Sequence, residues 1–256
     1  MLRQSIATRA IILRRTAYGE ADLVVTLLGL QTGRVSALAR GARKSSRRFA
    51  GGLGMGMSGD ATLRDRSGAE LMSLEAFDAR GDRPGLSAEI AKTAHTAYAV
   101  ELCDRLCPPR QPEKSVFAWL DEFLQRLAVG AATAERLRIF ELGILRGLGI
   151  GPSLDRCTVC GREDLGVEDV RWHPAGGGVV CRRCARGGDL MSASTRQTLE
   201  RLGKATLADA DSVHLDRDVG SSCRRATLAL LREHVHGPLR SLDFIEKMGS
   251  GMSGSR

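Results

Sequence analysis

The sequence predicts an α+β protein: a small N-terminal five-stranded barrel followed by an α-helical domain that carries an inserted four-cysteine zinc element. Three observations predict it. Short apolar runs cut by turns occupy about the first 80 residues, helical periodicity takes over from Leu86, and two Cys-x-x-Cys pairs interrupt the helical part.

The barrel strands follow in order. Ile6 to Leu13 and Asp22 to Leu30 read as strands, and Gln31-Thr32-Gly33 turns the second into Arg34 to Arg40. Ala61 to Arg64 and Glu70 to Ala76 flank Arg66-Ser67-Gly68 as a second hairpin. Five strands in this length suit an OB-fold, the five-stranded barrel most used for oligonucleotides, or an SH3-like barrel; periodicity alone does not choose between them.

Between the hairpins runs Arg40-Gly-Ala-Arg43-Lys44-Ser-Ser-Arg47-Arg48-Phe49, followed by glycines at 51, 52, 54, 56 and 59. No acid occurs between Asp22 and Asp60, whereas Arg34, Arg40, Arg43, Lys44, Arg47 and Arg48 fall inside. Flexible, one-signed sequence of this kind can track a phosphate backbone, and Phe49 can stack on a base; the bland alternative is a solvated loop. With only 4% aromatic residues in the chain, stacking is a minor contribution. Binding should therefore be electrostatic and sequence-tolerant, falling by about 10³-fold or more between 50 and 200 mM salt if about six phosphates are neutralised. Gly52-Leu-Gly54-Met-Gly56 lacks the third glycine of a dinucleotide fingerprint, and Lys44-Ser45 has no glycine before the lysine, so neither phosphate-loop motif is present.

Asp82-Arg-Pro84-Gly85 breaks the strand pattern. Helices are predicted from Leu86 to about Cys107, from Glu113 to Val129, and from Thr133 to Leu148, the first ended by Pro108-Pro109 and the third by Gly149-Ile-Gly151-Pro152. Beyond the cysteines, Ser192 or Ser194 caps a helix to Leu202, and Ser221 or Ser222 caps another through Val235. The domain boundaries expected are 1–80 for the barrel, 81–153 and 191–246 for the two parts of the helical domain, 154–190 for the zinc insertion, and 247–256 for a disordered Gly/Ser tail.

The insertion carries the strongest chemical signal. Cys157-Thr-Val-Cys160 and Cys181-Arg-Arg-Cys184 stand twenty residues apart and offer four thiolates that close tetrahedrally on one Zn²⁺. Four cysteine ligands leave no open coordination position, so the metal is structural. Arg156, Arg162, Arg182, Arg183 and Arg186 lie beside the thiolates and favour their charged form. His173 is a weaker substitute ligand, read as part of the hairpin.

Composition bounds the rest. At 256 residues and 43% hydrophobic content the chain supports two cores. The formal charge of +8 falls to +6 once four thiolates and one Zn²⁺ are counted, which still favours anionic partners, nucleic acid first. Without a long apolar run or a signal-type leader, a cytoplasmic protein with no membrane contact is expected. Seven cysteines fit a reducing compartment, with Cys103, Cys107 and Cys223 left as buried thiols. Asp82, Glu101, Asp104, Asp121, Glu122 and the five histidines form no cluster with catalytic spacing, so no catalytic residue is assigned and a non-enzymatic role is expected. The competing class is a zinc-ribbon nucleic-acid-binding or transcription-associated interaction protein.

The order of these parts resembles the RecO family of recombination mediators: a barrel with Gly41-Ala-Arg43 to Arg48-Phe49, a helical region, Cys157-x-x-Cys160 to Cys181-x-x-Cys184 after Gly149-Ile-Gly151-Pro152, and a closing Leu239-Arg240-Ser241. The likeness spans about residues 1 to 246. It implies an OB-fold, one structural Zn²⁺, and a bacterial DNA repair role without catalysis. The implied partners are single- and double-stranded DNA, RecR, the C-terminal tail of single-stranded-DNA-binding protein and, indirectly, RecA. The implied activities are strand annealing and help in loading RecA, with nucleoid association during repair. DNA contacts are then expected at Arg34, Arg40, Arg43, Lys44, Arg47, Arg48 and Phe49, with Arg14 and Arg15 on the first strand as weaker candidates.

Overall fold

The computed structural model describes residues 5–45, 47–49, 51–65, 70–81 and 83–245. The predicted turn at Arg66-Ser67-Gly68, Asp82 and the 247–256 tail lie outside the described residues.

The chain forms two compact units, one of residues 1–131 with 239–256 and the other of residues 132–238. The helices expected to form one domain are thus divided, the first two belonging with the barrel.

In the first unit, β1 (Ser5–Tyr18), β2 (Asp22–Gly29), β3 (Gly33–Ala39), β4 (Ser58–Arg64) and β5 (Met72–Ala79) close a barrel in the order β1-β2-β3-β5-β4. The closing contact between β3 and β5 is parallel, Ala37 facing Met72 and Leu38 facing Ser73. That crossed order is a Greek key of OB type, not a meander. The first strand is longer than predicted, because a register shift between Ile12 and Arg14 bends it. Its first half pairs with β4, its second with β2. The apolar alternation stops at Leu13 although the strand goes on, so the pattern hides its second half. Ile12, Val25, Leu27, Leu63, Leu74 and Phe77 are among the side chains filling the barrel.

The glycine-rich stretch after the basic loop serves this core. Leu53 is buried in the barrel, and the backbone of Ile12 exchanges bonds with Gly56 and Met57, the two N···O distances being 2.9 Å. Gly56 takes φ 79°, and a Cβ there would stand 2.9 Å from Thr96 Cγ2. Only glycine meets both conditions.

Helices α1 (Ile90–Leu106) and α2 (Lys114–Val129) complete the unit. The first begins later than predicted, behind a 3-10 turn at Pro84–Ser87 that follows the Arg83-Pro84 break. Asp121 on α2, 8% exposed, accepts from Arg9 of β1 at 3.1 Å and from Arg83 at 2.6 Å. Arg9 also lies 5.6 Å from the Phe117 ring centroid. On α1, the Glu101 carboxylate accepts the backbone N–H groups of Arg240 (3.2 Å) and Ser241 (2.9 Å). It caps the helical turn at 240–245 and ties the chain's closing segment back to the unit where the chain began.

The second unit is built around α3 (Ala134–Gly147), whose residues from Arg136 to Leu145 are all buried. Thr133 caps it, its side chain accepting from the Arg136 N–H, as a threonine before an apolar-periodic run predicts. Arg138 (3% exposed) and Glu141 (0%) form an ion pair inside the core, one turn apart. Helix α4 (Ala193–Lys204) is capped by Ser192, which bonds the Thr195 N–H. Helix α5 runs from Arg217 to His234 behind Asp216, so Ser221 and Ser222 lie within it and do not cap it. The early part of α5 is polar and holds Gly220, which masks the helix in the sequence.

Candidate functional site

Between α3 and α4 the cysteine segment folds into a three-stranded antiparallel sheet, β6 (Val170–His173), β7 (Gly178–Val180) and β8 (Asp189–Met191), in the order β7-β6-β8. Alternation turns Val170 and Trp172 inward with Val179, which fixes the register. Each Cys-x-x-Cys pair then forms a tight turn. Gly161 N–H reaches Cys157 O at 2.9 Å, and Ala185 N–H reaches Cys181 O at 3.0 Å. Gly161 takes φ 72°, a left-handed conformation that glycine adopts without strain.

The turns bring Cys157, Cys160, Cys181 and Cys184 together, their sulfur atoms all within 4.8 Å of one another. Cys160 Sγ and Cys181 Sγ are 3.9 Å apart. A tetrahedron with Zn–S arms of about 2.3 Å has edges of about 3.8 Å, so the cluster fits such an ion. Burial alone would raise the Cys157 thiol, but backbone N–H groups at Cys160, Cys181 and Val159 donate to its sulfur and bring it down to about 6. Hydrogen bonding to Cys160 and then Cys181 pushes Cys184 up to about 12, with burial adding to the rise. The four sulfurs cannot all ionise without a cation among them, and a divalent metal supplies that charge. His173 is exposed in the β6–β7 hairpin and is not one of the clustered ligands.

The barrel carries the second candidate. Topology gathers the β1–β2 turn, the start of the basic loop after Ala39, and the end of β4 with the start of β5 at one end of the barrel. In OB-folds the two hairpin loops frame the oligonucleotide site. The basic loop is not the flexible tether predicted. Gly41 N–H donates to Asp22 Oδ1 (2.7 Å), Arg43 N–H to Ala21 O (3.0 Å) and Arg43 Nη1 to Glu20 O (3.1 Å). These bonds pin the loop to the β1–β2 turn. Arg40, Arg43, Lys44, Arg47 and Arg48 line its solvent side, all of them exposed.

Three predicted contacts take other places. Phe49 is 3% exposed and belongs to the barrel core, so it cannot stack on a base; its apolar ring is worth more inside the barrel than in a loop. Arg34 donates to Cys107 O (2.8 Å) and pairs with Asp104 (3.4 Å), fastening β3 to the end of α1. Arg14 pairs with the same carboxylate at 3.2 Å and bonds Thr26 Oγ1 at 3.2 Å, while Arg15 is exposed. Arg48 donates to Arg40 O (2.6 Å), bracing the loop.

Sequence reasoning passed over Tyr18. It is 58% exposed at the end of β1, opposite Asp22, beside the turn to which the basic loop is pinned. It is the aromatic side chain offered to solvent at this end of the barrel among the described residues. The signal that could have found it is its place at a strand end directly before Gly19. The acids weighed as catalytic candidates are engaged elsewhere: Asp104 and Asp121 with arginines, Glu101 with backbone N–H groups, and Glu122 with Arg126 at 2.7 Å. No helix of the described residues is long and apolar enough to cross a membrane.

Comparison with known proteins covers both units. A family model described as "Recombination protein O N terminal" matches residues 1–80, and one described as "Recombination protein O C terminal" matches 87–243. The DNA repair protein RecO of Anaeromyxobacter sp. (strain Fw109-5) is 38% identical over 253 residues, 97% of this chain and 98% of its own length. That of Geobacter sulfurreducens is 39% identical over 196 residues, 77% of this chain and 79% of its own. That of Myxococcus xanthus is 32% identical over 241 residues, 94% and 96% of the two chains.

Proposed function

The chain belongs to the RecO family of DNA repair proteins, and from that premise we propose that it is a non-catalytic mediator that binds DNA and anneals complementary strands. In this reading it acts with RecR to help place RecA on single strands covered by single-strand-binding protein. The observation that carries the reading is the one-signed set Arg40, Arg43, Lys44, Arg47 and Arg48, pinned through Gly41 and Arg43 to the β1–β2 turn at one end of the barrel. Annealing requires two polyanions to approach each other. A patch that grips phosphates lowers their repulsion and leaves the bases free to pair. The burial of Phe49 supports the same view, since it removes a stacking platform that would hold bases back from pairing.

The four cysteines are proposed to hold a single Zn²⁺, which cross-links the two turns when bound and contributes directly to folding of the segment. Both single- and double-stranded DNA are proposed as ligands, because phosphate recognition does not distinguish sequence. The test is annealing of complementary oligonucleotides coated with single-strand-binding protein. Wild type should accelerate annealing, and replacement of Arg40, Arg43, Lys44 and Arg47 by Ala should abolish the acceleration while leaving the fold intact. Failure of folded, zinc-loaded wild type to anneal or bind DNA would end the mediator reading.

A further inference from the structure

The arginines of the zinc segment fall into two groups. Arg156 is paired with Asp155 (3.3 Å) and Glu163 (3.5 Å), and Arg162 with Glu168 (3.8 Å). From residue 170 to 188, by contrast, the sequence holds Arg171, Arg182, Arg183 and Arg186 and no acid at all. Among the described residues none of these four makes an ion pair; Arg171 only donates to Gly188 O at 3.3 Å. Arg182, Arg183 and Arg186 are exposed.

Three of them meet in one place. Arg171 from β6 and Arg182 and Arg186 at the second cysteine turn line a cleft of about 520 Å³ together with Gly187 and Gly188. The carboxylate at its edge, Asp169, accepts the Ala193 N–H at 3.2 Å. Three arginines thus line a concavity that a closed four-sulfur centre does not need for coordination. The glycines let an extended backbone approach closely.

We infer that this cleft is a second phosphate-binding site, taking the backbone of a nucleic-acid strand. Guanidinium groups offer paired donors that match phosphate oxygens, and arginines outside any ion pair give up no counterion on binding. The site lies on the other compact unit from the basic loop. Resting on the mediator reading, it gives the chain a separate grip for each of the two strands that annealing must join.

The test uses full-length, zinc-loaded protein titrated at low salt with a short oligothymidylate. Wild type should bind two strands per chain. R171A/R182A/R186A should bind one while keeping one equivalent of zinc, and R40A/K44A/R47A should also bind one. Two strands bound by the zinc-loaded cleft variant would overturn the inference. So would a wild type that binds one strand, lost only in the barrel variant, and that result would leave the mediator reading standing. A wild type that binds none would sink both. Should the triple variant release zinc, R186E leaves Arg182 beside Cys181 in place and decides by the same count. Filling of the cleft by a short oligoglutamate but not by the oligothymidylate would make the occupant an acidic peptide and overturn the assignment to nucleic acid.

Discussion

The Arg48 guanidinium stands 5.3 Å from the centroid of the Phe49 ring, and that ring is 3% exposed. Two neighbouring residues of one loop thus divide their roles: the phenyl ring anchors the loop in the barrel core, and the cation lies over it at the surface. Phe49→Ala should therefore act on stability, at a cost of about 3–5 kcal/mol as for other core phenylalanines. Urea unfolding measures that cost. If Phe49→Leu, which keeps most of the packing, reduces DNA affinity tenfold with the fold intact, the anchoring role is wrong.

The loop cations should set the salt dependence of binding. Replacing Arg40, Arg43, Lys44 and Arg47 by Ala should reduce the slope of log K against log salt by about 3, at about 0.7 per phosphate contact on a single strand. Anisotropy titrations between 50 and 200 mM salt read this directly. An unchanged slope would move the contact surface elsewhere.

Metal loss should be felt as lost structure. If the four sulfurs hold the proposed ion, Cys184→Ser, or chelation of the wild type, should lower the melting temperature and expose the sheet that buries Trp172, because such an ion would close both turns. Tryptophan fluorescence with a zinc-release assay follows both. Full zinc content and an unchanged melt in Cys184→Ser would contradict the four-sulfur site.

The Arg138–Glu141 pair gives a sharper stability test. Both side chains are buried, so removing Arg138 takes from the Glu141 charge a counterion it holds inside the core. Arg138→Ala should cost about 3–5 kcal/mol, whereas the double change R138M/E141L, which fills the space with apolar groups, should cost far less. Comparable losses in both variants would mean that packing, not charge, holds this part of α3.

Stability should also fall in alkali. Burial, helped by Glu113 and opposed by Arg34, pushes the Cys107 thiol up to about 12, and burial pushes Cys223 up to about 11. An unfolded thiol ionises near about 8.5. The folded chain therefore keeps protons that the unfolded chain gives up. This contribution is complete below about 8.5 and is lost as pH rises through that value toward the folded pKa. The urea midpoint of wild type should drop between about pH 8.5 and 11, and the drop should be shallower in Cys107→Ala. Equal slopes in the two proteins would rule out this thiol as a source.

Much of the molecule was legible because the controlling interactions are local. Cysteine spacing implied a four-sulfur cluster, since two short turns need only their own backbone bonds to form. Ser192 announced its helix because a cap acts on backbone within three residues of itself. The strand count and the one-signed loop were likewise written in consecutive residues.

Tertiary structure alone decided what those residues face. A phenylalanine in a basic loop looks the same in sequence whether it stacks on a base or plugs a barrel, and the closed barrel, with Phe77 N–H bonded to Arg48 O, settled which. Arg14 and Arg34 became partners of one carboxylate 70 or more residues away, a pairing that exists only once α1 lies against the barrel. The convergence of Arg171 with Arg182 and Arg186 depends in the same way on the sheet bringing β6 to the second cysteine turn. Local propensity fixes elements; burial and charge pairing depend on contacts distant in the chain, and those contacts only the closed fold creates.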